Sequence, residues 1–380
     1  MIYLDNGATS FPKPRGMMAV MEECILKYCG NPGRSGHYMS MRTGEEVYEA
    51  RRNLAKVFNI QNAERLVFTK NATEALNMGI MGILTEGDHV ITTSMEHNSV
   101  LRPLKVLEKS GISQTIVQAD IRGYVSPESI EKHIKPNTKL IVCTHASNVT
   151  GTIMDIDAIG EMAKKHRITF MVDGAQSSGS VDIDVKKMNI DILAVPGHKG
   201  LLGPLGTGAL YVSPTIKMKP LLFGGTGTES KSRIQPEEFP EGFEAGTVNA
   251  PAIIGLGYSA TYVNKIGVKT IGSYEQELIL RLENATRNMP FIKVYGPVST
   301  KKTGISLFNI GELSCEDVTS QLNNEYGIAV RGGYHCAGLA HKTIGTWEKG
   351  AIRLSVGPFN TKNDIDVAID AIWKIGKGLH

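Results

Sequence analysis

Two spacings of hydrophobic residues alternate through the first part of the chain. Dense apolar runs, "RLVFTK" (65–70), "HVITTSM" (89–95), "KLIVCTHAS" (139–147), "ITFMVDGAQS" (168–177), "DILAVPGHKG" (191–200) and "TGALYVS" (207–213), predict buried strands. Between them lie segments with helical spacing. "NATEALNMGIMGIL" predicts a helix beginning near Asn71, with Ala72, Leu76, Met78 and Ile80 on it. "SVLRPLKVLEKSG" (99–111) predicts an amphipathic helix stopped at Gly111, and "IDAIGEMAKKHR" (156–167) one whose basic residues fall in its last turns, where the helix dipole favours them. Alternating strands and helices predict an α/β fold with a mainly parallel sheet.

From about Tyr262 the pattern changes. "SYEQELILRLENATRNM" (273–289) and "KNDIDVAIDAIWKIGKGL" (362–379) predict long amphipathic helices, and "ISLFNI" (305–310), "IAVRGG" (328–333) and "AIRLSV" (351–356) predict strands. This is the pattern of a second, smaller α+β unit. At 380 residues the chain exceeds the ~250–300 at which a single core stops growing. The expected division is a large unit over 13–261 and a small one over 1–12 and 262–380. The stretch 224–247 is a long polar loop, and Phe239, Phe243 and Gly246 favour an ordered one.

Composition narrows the function classes. Forty-one basic against 38 acidic residues leave a net charge of +3 with no basic block, which gives no reason to invoke nucleic acid. No apolar run reaches the ~18–20 residues of a membrane helix. Asp5 and Asn6 stand where a signal peptide would place its apolar stretch, so the expected location is the cytoplasm. The five cysteines, Cys24, Cys29, Cys143, Cys315 and Cys336, contain no C-x-x-C pair, and neither a disulfide framework nor a metal site is expected. Four of them are expected to be small buried apolar residues.

The candidate chemistry gathers at strand ends. Asn71, His97, Asn148, Asp173, His198 and Lys199 all follow predicted strands on their C-terminal side, the edge at which open α/β sheets bind ligands. Lys199 sits directly after a histidine, at the mouth of a glycine-rich turn. A lysine amine in a partly desolvated site forms Schiff bases with aldehydes. Pyridoxal phosphate also needs a carboxylate on its ring nitrogen, donors for its phosphate and a flat group on its ring face. Asp173 and Lys199 end successive strands and suit its two ends. The "NAT" turn, Asn71, Ala72 and Thr73, offers free amides and a hydroxyl at a helix start. His97 can stack, and Gln176 can donate to the ring oxygen.

These motifs carry a resemblance. "YLDNGAT" (3–9), "NPGRSGH" (31–37), "VFTKNATEALN" (67–77), "MEHNS" (95–99), "HASNVTGT" (145–152), "VDGAQS" (172–177), "GHKGLLGPLGTGALYV" (197–212), "FEAGTVN" (243–249), "VRGGYHCAG" (330–338) and "IRLSVGPFNT" (352–361) resemble the class V, fold type I pyridoxal-phosphate enzymes, and among them the cysteine desulfurases and selenocysteine lyases. The resemblance implies a large domain with a mainly parallel seven-stranded sheet plus a smaller α+β domain. It implies that Lys199 bonds the cofactor, His97 stacks on it, Asp173 pairs with its nitrogen and Gln176 with its phenolic oxygen. Thr73 and His198 would hold the phosphate, with Thr247 reaching in from the other subunit of a homodimer. Asn148 and Arg353 would bind the substrate carboxylate, with Ala8 and Arg331 beside them, and Cys336 would take sulfur from L-cysteine or L-selenocysteine. The spacing of the "GGYHCAG" loop resembles the SUF-type group, which hands its persulfide to an acceptor protein. One position departs from the pattern: where many relatives have a hydroxyl three residues before the lysine, this chain has Pro196.

Independently of the resemblance, Arg331 and His335 flank Cys336, and neighbouring positive charge favours the reactive thiolate. Rival readings are an aminotransferase or lyase of the same superfamily that does without Cys336, a non-catalytic scaffold, and a Schiff-base aldolase without pyridoxal.

Overall fold

The computed structural model describes residues 1–33, 35–298 and 302–378; Arg34 of the "NPGRSGH" motif lies outside them. The chain runs β1 (Ile2–Tyr3), α1 (Arg15–Lys27), α2 (Tyr38–Val57), β2 (Leu66–Thr69), α3 (Ala72–Ile83), β3 (His89–Thr93), α4 (Asn98–Leu107), β4 (Ser113–Val117), α5 (Pro127–Glu131), β5 (Thr138–Thr144) and α6 (Ile156–Lys165). It continues through β6 (Thr169–Asp173), β7 (Ile192–Pro196), β8 (Gly208–Val212), α7 (Ala250–Ile266), α8 (Val268–Thr286), β9 (Ile292–Tyr295), β10 (Ile305–Ile310) and α9 (Cys315–Asn324). It ends with β11 (Ile328–Ala329), β12 (Arg331–Gly333), α10 (Gly338–Thr343), β13 (Ala351–Ser355) and α11 (Lys362–Lys377).

Seven strands form the main sheet in the order β2-β8-β7-β6-β5-β3-β4. Only β8 runs antiparallel to its neighbours. The central strands β5 to β8 are apolar through their middles because both faces are covered. Ile91, Ile141, Cys143, Phe170, Val172 and Leu193 enter one core with α2, α6 and α7. Their neighbours Val90, Leu140, Val142, Met171 and Ile192 enter a second core with α3 and α4. Each such fully buried Val, Leu, Ile or Phe contributes about 1.5–3 kcal/mol.

The C-terminal segment builds a four-stranded antiparallel sheet, β12-β13-β10-β9, backed by α8, α9 and α11 through a third core that includes Leu278, Leu282, Val318, Leu322, Ile365 and Ile372. Leu307, Ala337 and Ala351 of this region enter the first core, so the two sheets share packing.

Four local expectations are corrected. The run "IAVRGG" is two strands: β11 pairs in parallel with β1, and β12 pairs with β13. Period-two spacing cannot show that a run changes sheets at Val330. Helix α8 begins at Val268 rather than near Ser273, because the chain leaves α7 at Gly267 and re-enters helix at once. Helix α4 ends at Leu107, and a 3-10 turn over Glu108–Ser110 carries the chain to Gly111, whose φ of 77° is left-handed. Cys29, expected to be buried, is exposed, because it lies beyond the C-cap of α1 at Tyr28; Cys24, Cys143 and Cys315 are buried. Among the described residues no helix is long and apolar enough to cross a membrane, and no group of three or more His, Cys, Asp or Glu side chains could hold a metal ion.

Candidate active site

The parallel pairing of β6 with β7 sets Asp173 opposite Ala194, and the chain then runs from Pro196 through Gly197 and His198 to Lys199. The turn is held by its own backbone: Gly197 N–H donates to Thr207 O (2.8 Å) and Leu202 N–H to Lys199 O (2.8 Å). Gly200 passes so close to Ser178 that a Cβ would stand 2.2 Å from its carbonyl oxygen. The turn presents the lysine to a cavity of ≈ 810 Å³, open solvent included. Ala8, Asn71, Ala72, Thr73, His97, Asn148, Asp173, Gln176, His198, Lys199, Arg331 and Arg353 all line it, so twelve positions singled out in the sequence meet in one space.

The electrostatics follow from burial. Lys199 is lowered from 10.5 to about 8, first by desolvation and then by Arg353 and Arg331, against the pull of Asp173. Asp173 is raised by its burial, while the Ala175 N–H (2.9 Å from Oδ1) and Lys199 oppose that shift. His97 is lowered to about 4 by burial and then by Lys199, Arg331, Arg102 and Arg353. Ser99 N–H donates to His97 Nδ1 (3.0 Å), so that nitrogen is an acceptor and the neutral ring carries its proton on Nε2. The same bond makes His97 the N-cap of α4, which fixes a flat, uncharged ring in the wall.

Asn71 caps α3, its Oδ1 accepting from Glu74 N–H (3.0 Å). The amides of Ala72 and Thr73, in the first turn of α3, have no intrahelical partner, and both residues line the cavity, as at the helix N-termini that hold anions. Thr73 Oγ1 and Ser99 Oγ lie 2.8 Å apart. Ser99 also lines the cavity, bringing a hydroxyl to the site that has Pro196 in place of one.

The residues present fit pyridoxal phosphate. Two buried polar atoms on cavity-lining side chains, His198 Nδ1 and Arg353 Nε, have no partner, and both suit anionic groups of a ligand. The carboxylate, amine, flat neutral ring and free helix amides supply what its ring and phosphate need. Gln176 donates one amide hydrogen to Gly7 O (2.9 Å) and keeps its second. Arg353, 1% exposed, is held by Asp5 (Nη2 to Oδ1, 2.9 Å) and by Asn148 O (Nη1, 3.0 Å).

Two of the expected residues lie outside this cavity. Thr247 is exposed and does not line it. Cys336 is exposed, with the Arg331 guanidinium 3.7 Å from Sγ, and Arg331 and His335, both just before it in the chain, line the cavity. The loop is ordered by long-range bonds: Asn98 N–H to Cys336 O (2.9 Å) and Asn148 Nδ2–H to His335 O (2.7 Å).

Sequence reasoning missed Asp5, Ser99 and Glu96. The only signal for Asp5 was its place in "YLDNGAT". Glu96, fully buried, accepts from Thr93 Oγ1–H (2.7 Å) and Thr144 N–H (3.0 Å), which ties β3 to β5 behind the site; burial pushes its carboxyl up to about 8. A second cleft, of ≈ 1290 Å³, lies at the other edge of the sheet, where Thr169 and Asp191 begin β6 and precede β7; it contains neither a histidine nor a cysteine.

Residues 2–367 match the family described as aminotransferase class-V. A probable cysteine desulfurase of Methanothermobacter thermautotrophicus is 36% identical over 98% of this chain and 94% of its own length, and one of Pyrococcus abyssi is 35% identical over 100% and 95%. Among solved structures, the apo cysteine desulfurase of Thermococcus onnurineus superposes with a TM-score of 0.94 at 34% identity, covering 99% of this chain and 95% of that one. The cysteine desulfurase CsdA of Escherichia coli gives 0.89 at 28% identity, covering 99% and 94%. The chain therefore belongs to the pyridoxal-phosphate-dependent class-V aminotransferase family, on its cysteine desulfurase branch.

Proposed function

We propose that this protein converts L-cysteine to L-alanine and retains the sulfur as a persulfide on Cys336. The observation that carries the reading is that residues of the seven-stranded sheet and of the C-terminal segment line one cavity. Asp173 ends one strand, Lys199 follows the end of its parallel neighbour, and Arg331 and His335 from the loop bearing Cys336 line the same cavity. Bound there, pyridoxal phosphate supplies an electrophilic carbon for amines and a sink for the electron pair left when a Cα–H bond breaks.

The chain's own residues do the rest. Lys199, its amine lowered to about 8, is the free base in roughly a tenth of molecules at pH 7, far more than an ordinary lysine, and can take the substrate Cα proton and return it. The Asp173 carboxylate accepts from the protonated ring nitrogen. The remaining amide hydrogen of Gln176 serves the phenolic oxygen, and His97 covers the ring face. Ala72, Thr73 and His198 hold the phosphate. Asn148 and Arg353 orient the substrate carboxylate, beside Ala8 and Arg331. Cys336 thiolate attacks the substrate sulfur: its S–S bond forms as the substrate Cβ–S bond breaks, and a proton completes alanine.

Purified holoenzyme given L-cysteine should form alanine without an amino acceptor, and Cys336→Ala should bind cofactor yet release no sulfide. Full desulfurase turnover in that variant overturns the assignment. The same assay with L-selenocysteine separates desulfurase from lyase preference, because a C–Se bond breaks with less help from the thiol.

The same reading extends to a homodimer in which Thr247 completes the partner's phosphate site, to a sulfur-acceptor protein that meets the exposed thiol, and to a cytoplasmic location. It divides the chain into a cofactor-binding unit (13–261) and a smaller unit (1–12 and 262–380) that carries the thiol loop. The separate third core supports that division.

A further inference from the structure

We propose that His341 is a positioning residue for Cys336. Through His335 it locks one arrangement of the Arg331 guanidinium, the Cys336 thiol and the Asn148 amide. The inference rests on the desulfurase reading for the role of Cys336.

The thiol loop is a conformation that side chains resist. His335 and Cys336 are consecutive non-glycine residues in the left-handed region, with φ of 52° and 57°. Such a bend persists only where its surroundings over-determine it. What determines it here is a line of hydrogen bonds with one direction. His335 Nε2 lies 3.1 Å from Arg331 O. A carbonyl only accepts, so Nε2 carries the proton. In a neutral ring Nδ1 is then a lone pair, and its partner at 3.2 Å, His341 Nε2, must donate. His341 Nδ1 in turn is a lone pair that receives the hydroxyl proton of Thr346, 2.7 Å away. The proton order is thus Thr346 to His341 to His335 to the Arg331 carbonyl, and reversing any link leaves two donors or two lone pairs facing each other.

Burial keeps both rings neutral. His335 is 2% and His341 0% exposed. The ring centroids lie 5.4 Å apart with planes only 15° from parallel, so the rings meet side by side along the Nδ1–Nε2 contact, and Tyr334 meets His341 edge-on. Desolvation lowers both, and the Arg353 and Arg331 guanidiniums further oppose a charge on His335.

The output of the line is functional. The backbone that His335 fixes gives its carbonyl to Asn148 Nδ2–H (2.7 Å) and the next carbonyl, of Cys336, to Asn98 N–H (2.9 Å), one residue after His97. Its far end holds Arg331, whose guanidinium meets the thiol. His341 does not line the cavity, so it acts through His335.

Nitrogen NMR of the holoenzyme with labelled histidine should place both His335 and His341 in the neutral Nε2–H form at neutral pH; a charged ring, or Nδ1–H at either, overturns the proposal. Thr346→Val keeps the shape and removes the first donor. It should lower kcat for alanine formation at least tenfold, with cofactor affinity and visible spectrum unchanged. His341→Phe should do the same without adding to Thr346→Val. His341→Gln, which can accept from Thr346 and donate to His335, should recover part of the rate. Unchanged kcat in Thr346→Val, or a loss matched by equal loss of cofactor, overturns it. Wild-type enzyme that makes no alanine from L-cysteine defeats the desulfurase reading instead, and the tautomer measurement still decides the array.

Discussion

Lys199 shows how much one side chain owes to its surroundings. Burial strips water from its ammonium, and Arg353 and Arg331 add repulsion; Asp173 and Asp5 return part of the cost, and the amine settles at about 8. Its neighbours shift in the complementary sense, with His97 and His198 both lowered to about 4 by the same burial and by the Lys199 charge. The site therefore carries neutral imidazoles around one titrating amine. The sign of the consequence is fixed. A lysine is nucleophilic only when deprotonated, so its reaction with an aldehyde should accelerate as pH rises and level off above its pKa. Stopped-flow uptake of pyridoxal phosphate by apoenzyme should show a midpoint near pH 8, whereas an ordinary lysine would still be gaining near 10.5. A rate flat across that window, or one unchanged in Lys199→Ala, would take the amine out of the reaction.

Elements decide which of these residues meet. The strand tips were legible in the sequence because a sheet covered on both faces writes itself as uninterrupted apolar runs, and Asp173, His198 and Lys199 stand where those runs stop. The thiol loop was legible as chemistry, with Arg331 beside Cys336, but not as structure. Nothing in "VRGGYHCAG" shows that His335 reaches His341, because the pairing crosses the left-handed bend and the start of α10. Ser99 and Glu96 were hidden for another reason: one acts through its backbone amide on His97, the other from a layer beneath the cavity. The edge strand β4 is half exposed, so its spacing is diluted. The helix start at Asn71 was legible as a cap, yet its placement depends on β8. Gly208 approaches so closely that a Cβ would stand 2.7 Å from the Asn71 carbonyl carbon. Gly208→Ala should push the first turn of α3 off its position. Losing one charge-assisted bond, worth about 1.5–3 kcal/mol, should raise the dissociation constant for pyridoxal phosphate by about tenfold or more, read by equilibrium titration. Unaltered affinity would show that the phosphate is held elsewhere.

Of the two expected residues outside the cavity, Thr247 is the one that bears on assembly. Thr247 is exposed and stands outside the cavity of its own chain, at the end of the loop that Glu244 anchors: Arg51 grips that carboxylate at 2.6 Å and Phe68 N–H donates to it at 2.6 Å. So firm an anchor for an exposed threonine makes sense if a second copy uses it. The exposed large apolar side chains agree, since Met18, Ile25 and Leu26 lie on α1 and Tyr38, Met39, Met41 and Tyr48 on α2. A mixed dimer separates the two arrangements. Let one subunit carry Lys199→Ala and the other Thr247→Val. If Thr247 serves the partner's site, the subunit that keeps Lys199 receives an intact threonine from its neighbour, and one complete site survives. If Thr247 serves its own site, neither is complete. With cofactor limiting, the purified mixed dimer should therefore show about half the wild-type rate of alanine formation, while the Thr247→Val homodimer falls well below it through the loss of a charge-assisted phosphate bond. A mixed dimer at only about half the rate of the Thr247→Val homodimer, one weakened site against two, would confine the threonine to its own subunit, and a monomer in sedimentation at assay concentration would remove the shared site altogether.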